Sequence, residues 1–239
     1  MKAAKMSRLA NSDRPTRRNV LTILTVLLST AGLSPAHAVD PLALYGSGLE
    51  FEIRRNGQPV GAHSMTFTPG ADKTVNVVAR SSIAVRFLGF TAYRFTYDSR
   101  SAWRDGRILD LAARTDDDGT ISQVGATLNG DRLSVQGPHG TVDAPAATFP
   151  TDHWHPGVRG ASVVLNTITG GLNQVAMTRE GVESVPTGDG PRPAERWRYS
   201  GELDTTVWYD DAGRWVGLRF AASDGSIIDY VCRRCGAAR

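Results

Sequence analysis

Between Leu49 and Val231 the chain rarely runs more than a few residues before a Gly, Asn or Asp interrupts it, and between interruptions apolar and polar residues tend to alternate. A period of two belongs to strands, whose successive side chains point to opposite faces. Leu49, Phe51 and Ile53 share a face, and Asn56-Gly57 then reverses the chain. Both turn residues tolerate the positive φ of a type I′ hairpin. The next strands carry Val60, Met65 and Phe67, then Val75 and Val77, then Ile83, Val85 and Phe87. Tyr93, Phe95 and Tyr97 fall on one face of the strand after that, with Arg94 and Thr96 on the other. The stretches "AWRDGRILDL" (102–111) and "VWYDDAGRWVGLRF" (207–220) write one hairpin chemistry twice, each with a Trp before the turn and a Gly in it. Turn signals every ten residues or so predict an all-β fold. The expected form is an antiparallel meander of about a dozen strands, making a curled sheet or a β-barrel-like domain, with at most one or two short helices.

Residues 144–172 interrupt this pattern. Pro145, Pro150 and Pro156 exclude long regular structure. Val158 to Thr169 is the expected place for a short helix ended by Gly170-Gly171, although Val163, Val164 and Ile168 are poor helix formers.

The first 38 residues read as a secretory leader: six basic residues, an apolar run of 14 residues from Val20 to Leu33, and Ala36-His37-Ala38. A membrane-spanning helix needs about 20 apolar residues, so this run is short for an anchor. Arg17-Arg18 before the apolar run also fits twin-arginine export, and the sequence leaves the two routes open. Residues 39–239 are then a single β-rich domain, periplasmic or secreted, with no stable membrane span. The whole chain has 27 Lys+Arg, 24 Asp+Glu and a pI near 9.1. The leader holds six of the bases and one acid, so the remainder carries 21 against 23, a net charge of −2. That balance, with no basic stripe, excludes a nucleic-acid partner.

From Tyr45 onward the chain resembles a family of uncharacterised exported bacterial proteins, a domain-of-unknown-function class. The matching stretches are "YGSGLEFEIRRNGQPVGAHSMTF", "WRDGRILDLAARTDDDG", "TDHWHPGV" and "LDTTVWYDDAGRWVGLRF". The resemblance implies no activity and no site residues. Its pattern is similar in turn to periplasmic sheets that curl around a lipid or a lipoprotein tail.

The aromatic stretch 87–97 suggests a concave face for an apolar ligand, formed by Phe87, Tyr93, Phe95 and Tyr97, with Trp103, Trp197, Tyr199 and Trp208 as the opposite wall. Each buried side chain of that size contributes about 1.5–3 kcal/mol, and an ordinary core is the plainer reading of the same residues. His153 and His155 would share a side of an extended segment and could ligate a metal with Asp152 or His63. Solvent-exposed or capping imidazoles are the plainer reading. Cys232 and Cys235, the two cysteines of the chain, read first as a local disulfide, whose short loop adds little stability. Asp116-Asp117-Asp118-Gly119 is a solvated turn before it is a calcium site.

No cofactor is implied. The favoured role is a non-enzymatic binding protein for an apolar or lipid-like ligand. The alternatives are a solid-cored protein that recruits a partner through an edge strand, and a metal-dependent enzyme built on His153 and His155. Intact mass of the exported protein should start at Val39, and retention of residues 1–38 would refute the leader assignment.

Overall fold

Fifteen strands form one sheet whose order is unusually simple. The structure, a computed structural model, describes residues 39–87 and 90–236, with Phe87 described in its backbone alone; the proposed leader lies outside the described residues. The first meander runs β1 (Gly48–Arg55), β2 (Gln58–Pro69), β3 (Val75–Phe87), β4 (Phe90–Arg104), β5 (Arg107–Asp117), β6 (Thr120–Asn129), β7 (Arg132–Gly137) and β8 (Gly140–Pro145). The second runs β9 (Phe149–Pro150), β10 (Val163–Leu165), β11 (Leu172–Thr187), β12 (Gly190–Gly201), β13 (Thr205–Tyr209), β14 (Trp215–Ala221) and β15 (Ile227–Arg234). The meanders join where β1 pairs with β15, in a register that sets Glu52 opposite Val231 and Arg55 opposite Ile228. Every neighbour is antiparallel except β9 and β10, which pair in parallel.

The turns follow the expected chemistry. Asn56-Gly57, Asp105-Gly106 and Asp118-Gly119 all have positive φ at both residues, as a type I′ hairpin requires. Inward positions on successive strands build one core, including Leu49, Phe51, Met65, Phe67, Val77, Leu111, Leu133 and Val207. Trp154, from the segment after β9, packs edge-on against Phe67 and Trp103 on β2 and β4. The sheet is therefore curled, because a residue near one edge reaches strands far across it.

Closure stops at β8 and β9, whose edges are not hydrogen-bonded to each other. Pro145 ends one edge strand and Pro150 ends the other. Proline lacks the N–H a ladder needs, so both strands are suited to edges and neither extends the ring.

Two expectations need correction. The strand count is fifteen instead of about a dozen, because β9 and β10 are only two and three residues long and lie in the proline-rich stretch. The helix expected over Val158–Thr169 is absent. A 3-10 turn over Pro156–Gly160 is followed by β10, where Val163 and Val164 suit a strand. Asn166 Oδ1 then accepts from the N–H groups of Ile168 and Thr169 and turns the chain. The one α-helix among the described residues, α1 (Pro41–Tyr45), lies elsewhere, with Asp40 accepting from the Leu42 N–H as its N-cap and Pro41 in the first turn.

The β13–β14 turn is organised by one carboxylate. Asp210 is 3% exposed and accepts from the Ala212 and Arg214 N–H groups, from Arg214 Nε at 2.7 Å and from Arg192 at 3.0 Å. Arg214 therefore serves an inner ion pair. Removing the carboxylate takes the buried partner from two guanidinium groups, of which Arg192 keeps Asp189 at 3.7 Å, and leaves the Ala212 and Arg214 backbone donors unmet. Asp210→Ala should lower unfolding free energy by about 3 kcal/mol or more in a urea titration, and a loss under about 1 kcal/mol would contradict this account.

Candidate functional site

The concave face encloses a cavity of about 750 Å³. Its apolar wall comes from inward positions of strands on both sides of the β1–β15 junction: Ile83 and Val85 on β3, Phe95 on β4, Leu218 and Phe220 on β14, Ile228 on β15. Arg55, Asp117, Ser223 and Asp224 stand at the mouth, where Arg55 pairs with Asp224 at 2.6 Å and Tyr93 donates to Asp117 at 2.7 Å.

Two backbone irregularities aim side chains into the base. On β14, Trp208 faces Gly217 but Tyr209 faces Trp215, so Trp215 and Val216 together oppose a single step of β13. Such a bulge breaks the alternation that would turn Trp215 away from the side of Leu218. Trp215 lines the cavity, its ring tilted by 37° against Phe51 with centroids 4.2 Å apart. Its backbone N–H donates to the Tyr45 hydroxyl, which itself donates to the Trp154 carbonyl, while its indole Nε1 donates to the Gly217 carbonyl. The second irregularity is His153, whose φ of 58° is uncommon outside glycine. Tyr209 donates to its carbonyl at 2.9 Å, holding this conformation in place.

The left-handed step at His153 also removes the expected shared side of His153 and His155. His153 faces the cavity and lies 3.3 Å from the Tyr199 hydroxyl. His155 borders a separate hollow beside Trp103, stacks on that indole, and accepts from the Gly157 N–H to cap the 3-10 turn. Both imidazoles are buried, so a solvent-exposed role is wrong for either, and capping is right for His155. Among the described residues no three His, Cys, Asp or Glu side chains are grouped to hold a metal.

Of the aromatic residues singled out in the sequence, Tyr93, Phe95, Tyr97 and Tyr199 line the cavity. The Phe87 side chain lies outside the described residues. Trp103 packs on Trp154, Trp197 lies under the Arg159 guanidinium at 5.4 Å, and Trp208 covers Gly217 and donates to Glu183. None of these three lines the cavity, so three of the four residues expected in the opposite wall are placed elsewhere. Cys232 and Cys235 form a disulfide with Cα atoms 5.7 Å apart, tying β15 to the residues that follow it.

The base is polar and buried. His63 Nδ1 lies 2.7 Å from Ser81 Oγ, and its Nε2 has no hydrogen-bond partner. Burial holds both imidazoles neutral, His63 down to about 4 and His153 down to about 3. The same burial pushes the Asp152 carboxyl up to about 8, against the hydrogen bond that it accepts from Trp154 Nε1. Asp152 keeps some exposed surface, and it is one of the residues that line the cavity. Asp152 and His63, expected beside His153 as metal ligands, line the cavity with it, and Trp215 and Tyr230 join them unanticipated. His63 and Tyr230 sit at inward strand positions without a distinguishing spacing, and Trp215 is inward only through the bulge.

The family described as Domain of unknown function (DUF6134) matches residues 51–233. Among solved structures, the beta-barrel-like protein of domain of unknown function DUF1849 from Brucella abortus superposes with a TM-score of 0.52 and 10% sequence identity. The match covers 78% of this chain and 95% of that one, and at this identity it concerns the fold alone. No curated protein matches the chain.

Asp152 gives the site a pH signature. A carboxyl whose pKa is raised on folding binds more protons folded than unfolded between pH 4 and 8, so it subtracts stability as pH rises through that window. Asp152→Asn should therefore raise the melting temperature over wild type by a margin that grows from pH 4 to pH 8 and then levels. The limiting slope is about 1.4 kcal/mol per pH unit, reduced by any water in the cavity. A margin independent of pH would contradict this placement.

Proposed function

The chain belongs to the DUF6134 family, and we propose that it is a binding protein that holds an apolar or lipid-like ligand in the cavity of its curled sheet. The observation that carries this reading is the cavity itself. Its volume of about 750 Å³ lies in the range of small-ligand pockets, roughly 300–1,000 Å³. A domain whose aromatic residues only fill a core leaves no such space. The wall is aliphatic and aromatic, the mouth is charged, and the base has a few convergent polar groups, which suits an amphiphile entering tail or head first. The leader expected over residues 1–38 supports a setting in the periplasm or outside the cell.

A catalytic reading finds less support. Ser81 and His63 make the contact of a nucleophile and base. An imidazole held near 4, however, is a weak base at neutral pH, far from the matched value that proton transfer favours.

Organic-solvent extraction of protein purified from its own compartment should release a small amphiphile. The emptied protein should then bind a fluorescent fatty-chain probe, and Ile83→Trp, which fills the wall, should weaken that binding by about tenfold or more with the circular dichroism spectrum unchanged. No extractable molecule together with no probe binding would refute the reading.

A further inference from the structure

The base of the cavity presents a carboxyl that no cation answers. Asp152 accepts from Trp154 Nε1, and no Lys or Arg pairs with it among the described residues. Arg55, the basic residue among those lining the cavity, stands at the mouth and is held by Asp224 and Ser226. A second group is incomplete: His63 is 6% exposed, lines the same cavity, and its Nε2 has no partner. Trp215 has its ring centroid 5.6 Å from both His63 and His153, and Tyr97, Tyr199 and Tyr230 complete an aromatic surround.

We infer that the base of this cavity is a site for a protonated primary amine at the end of an apolar chain. Asp152 is the counter-ion, His63 Nε2 accepts one N–H, and the aromatic rings offer their faces to the cation. The inference rests on the cavity being a ligand site. An ammonium group has three donors and no acceptor, so it needs what this base has to offer: a carboxylate and an imidazole lone pair. Acceptance at Nε2 puts the His63 proton on Nδ1, where it donates to Ser81 Oγ. Indole and phenol rings attract cations, most strongly away from water.

Charge selects among head groups. With its pKa near 8, Asp152 gives up its proton at pH 7 for a factor of about ten. Protonating His63 or His153, at about 4 and 3, to receive an anion loses a factor of about a thousand or more. A cationic head is thereby favoured over an anionic one by roughly a hundredfold. A neutral head forgoes the counter-ion and the rings.

Binding should depend on pH through Asp152 alone. The imidazoles that line the cavity with it, His63 and His153, charge well below pH 6. The phenols of Tyr45, Tyr97, Tyr199, Tyr209 and Tyr230 are all raised by burial above the usual tyrosine value. Arg55, Asp117 and Asp224 are charges of the mouth, away from the base.

The test is competition of dodecylamine, dodecanol and dodecanoate against the fluorescent probe on the emptied full chain, below their micelle concentrations. At pH 7 dodecylamine should bind about tenfold more tightly than dodecanol and about a hundredfold more tightly than dodecanoate. Its affinity should rise by up to about tenfold per pH unit from pH 6 to pH 7.5. Asp152→Asn should abolish both the preference and the pH dependence while dodecanol still binds, and His63→Phe should weaken the amine selectively. Dodecanol or dodecanoate binding as tightly as the amine, or a preference that survives Asp152→Asn, overturns the amine site and spares the cavity reading. Failure of all three to bind overturns both.

Discussion

The ladder between β1 and β15 is the contact on which the rest of the molecule depends. Each meander alone is, apart from the parallel pair β9 and β10, a row of hairpins joined by local turns. Only the pairing of the first strand with the last brings β2, β3 and β4 beside β12, β14 and β15, and the cavity is lined from both groups. Ion pairs cross the ladder from Arg233 to Glu52 and from Arg234 to Glu50. They are partly exposed and worth little, by the usual magnitude of about 0–1 kcal/mol. Register is held by burial instead. Phe51 and Ile53 face inward with Cys232 and Ile228, and a slip of one residue would turn each of them to solvent.

Function-bearing groups arise where that regular ribbon is broken. The bulge at Trp215–Val216 turns an indole inward, and the freed N–H is taken up by Tyr45 from the N-terminal helix. The left-handed step at His153 turns one imidazole into the cavity and leaves its neighbour-but-one to cap a turn. Both irregularities are held by tyrosine hydroxyls, so the aromatic residues act as hydrogen-bonding braces as well as core. A cavity base with a buried, partnerless imidazole nitrogen, His63 Nε2, is costly to keep in a folded protein and is the feature that a ligand would relieve.

Much of the architecture was legible in the sequence. Asn56-Gly57 announced its turn, because one residue pair dictates that backbone, and Tyr93, Phe95 and Tyr97 announced a shared face by strict alternation. The disulfide followed from two cysteines three residues apart. The strands β9 and β10 were hidden because they are too short for a period to show. The placement of Trp103, Trp197 and Trp208 was misjudged because strand parity says which face a residue takes, and curvature decides which part of that face is hollow. Trp215 and His153 escaped for the opposite reason, since bulges and positive φ at a non-glycine residue have no local signature that alternation can report.

A hollow that spans the β1–β15 seam is the central claim, and Trp215 is the one of the five tryptophans that lines it. Quenching of tryptophan emission by a chain-brominated amphiphile, compared between wild type and Trp215→Phe, tests it most directly. The account predicts saturable quenching in wild type that is largely lost in the variant, with aqueous iodide leaving that component untouched. Equal quenching of the two proteins, or none in either, would contradict it.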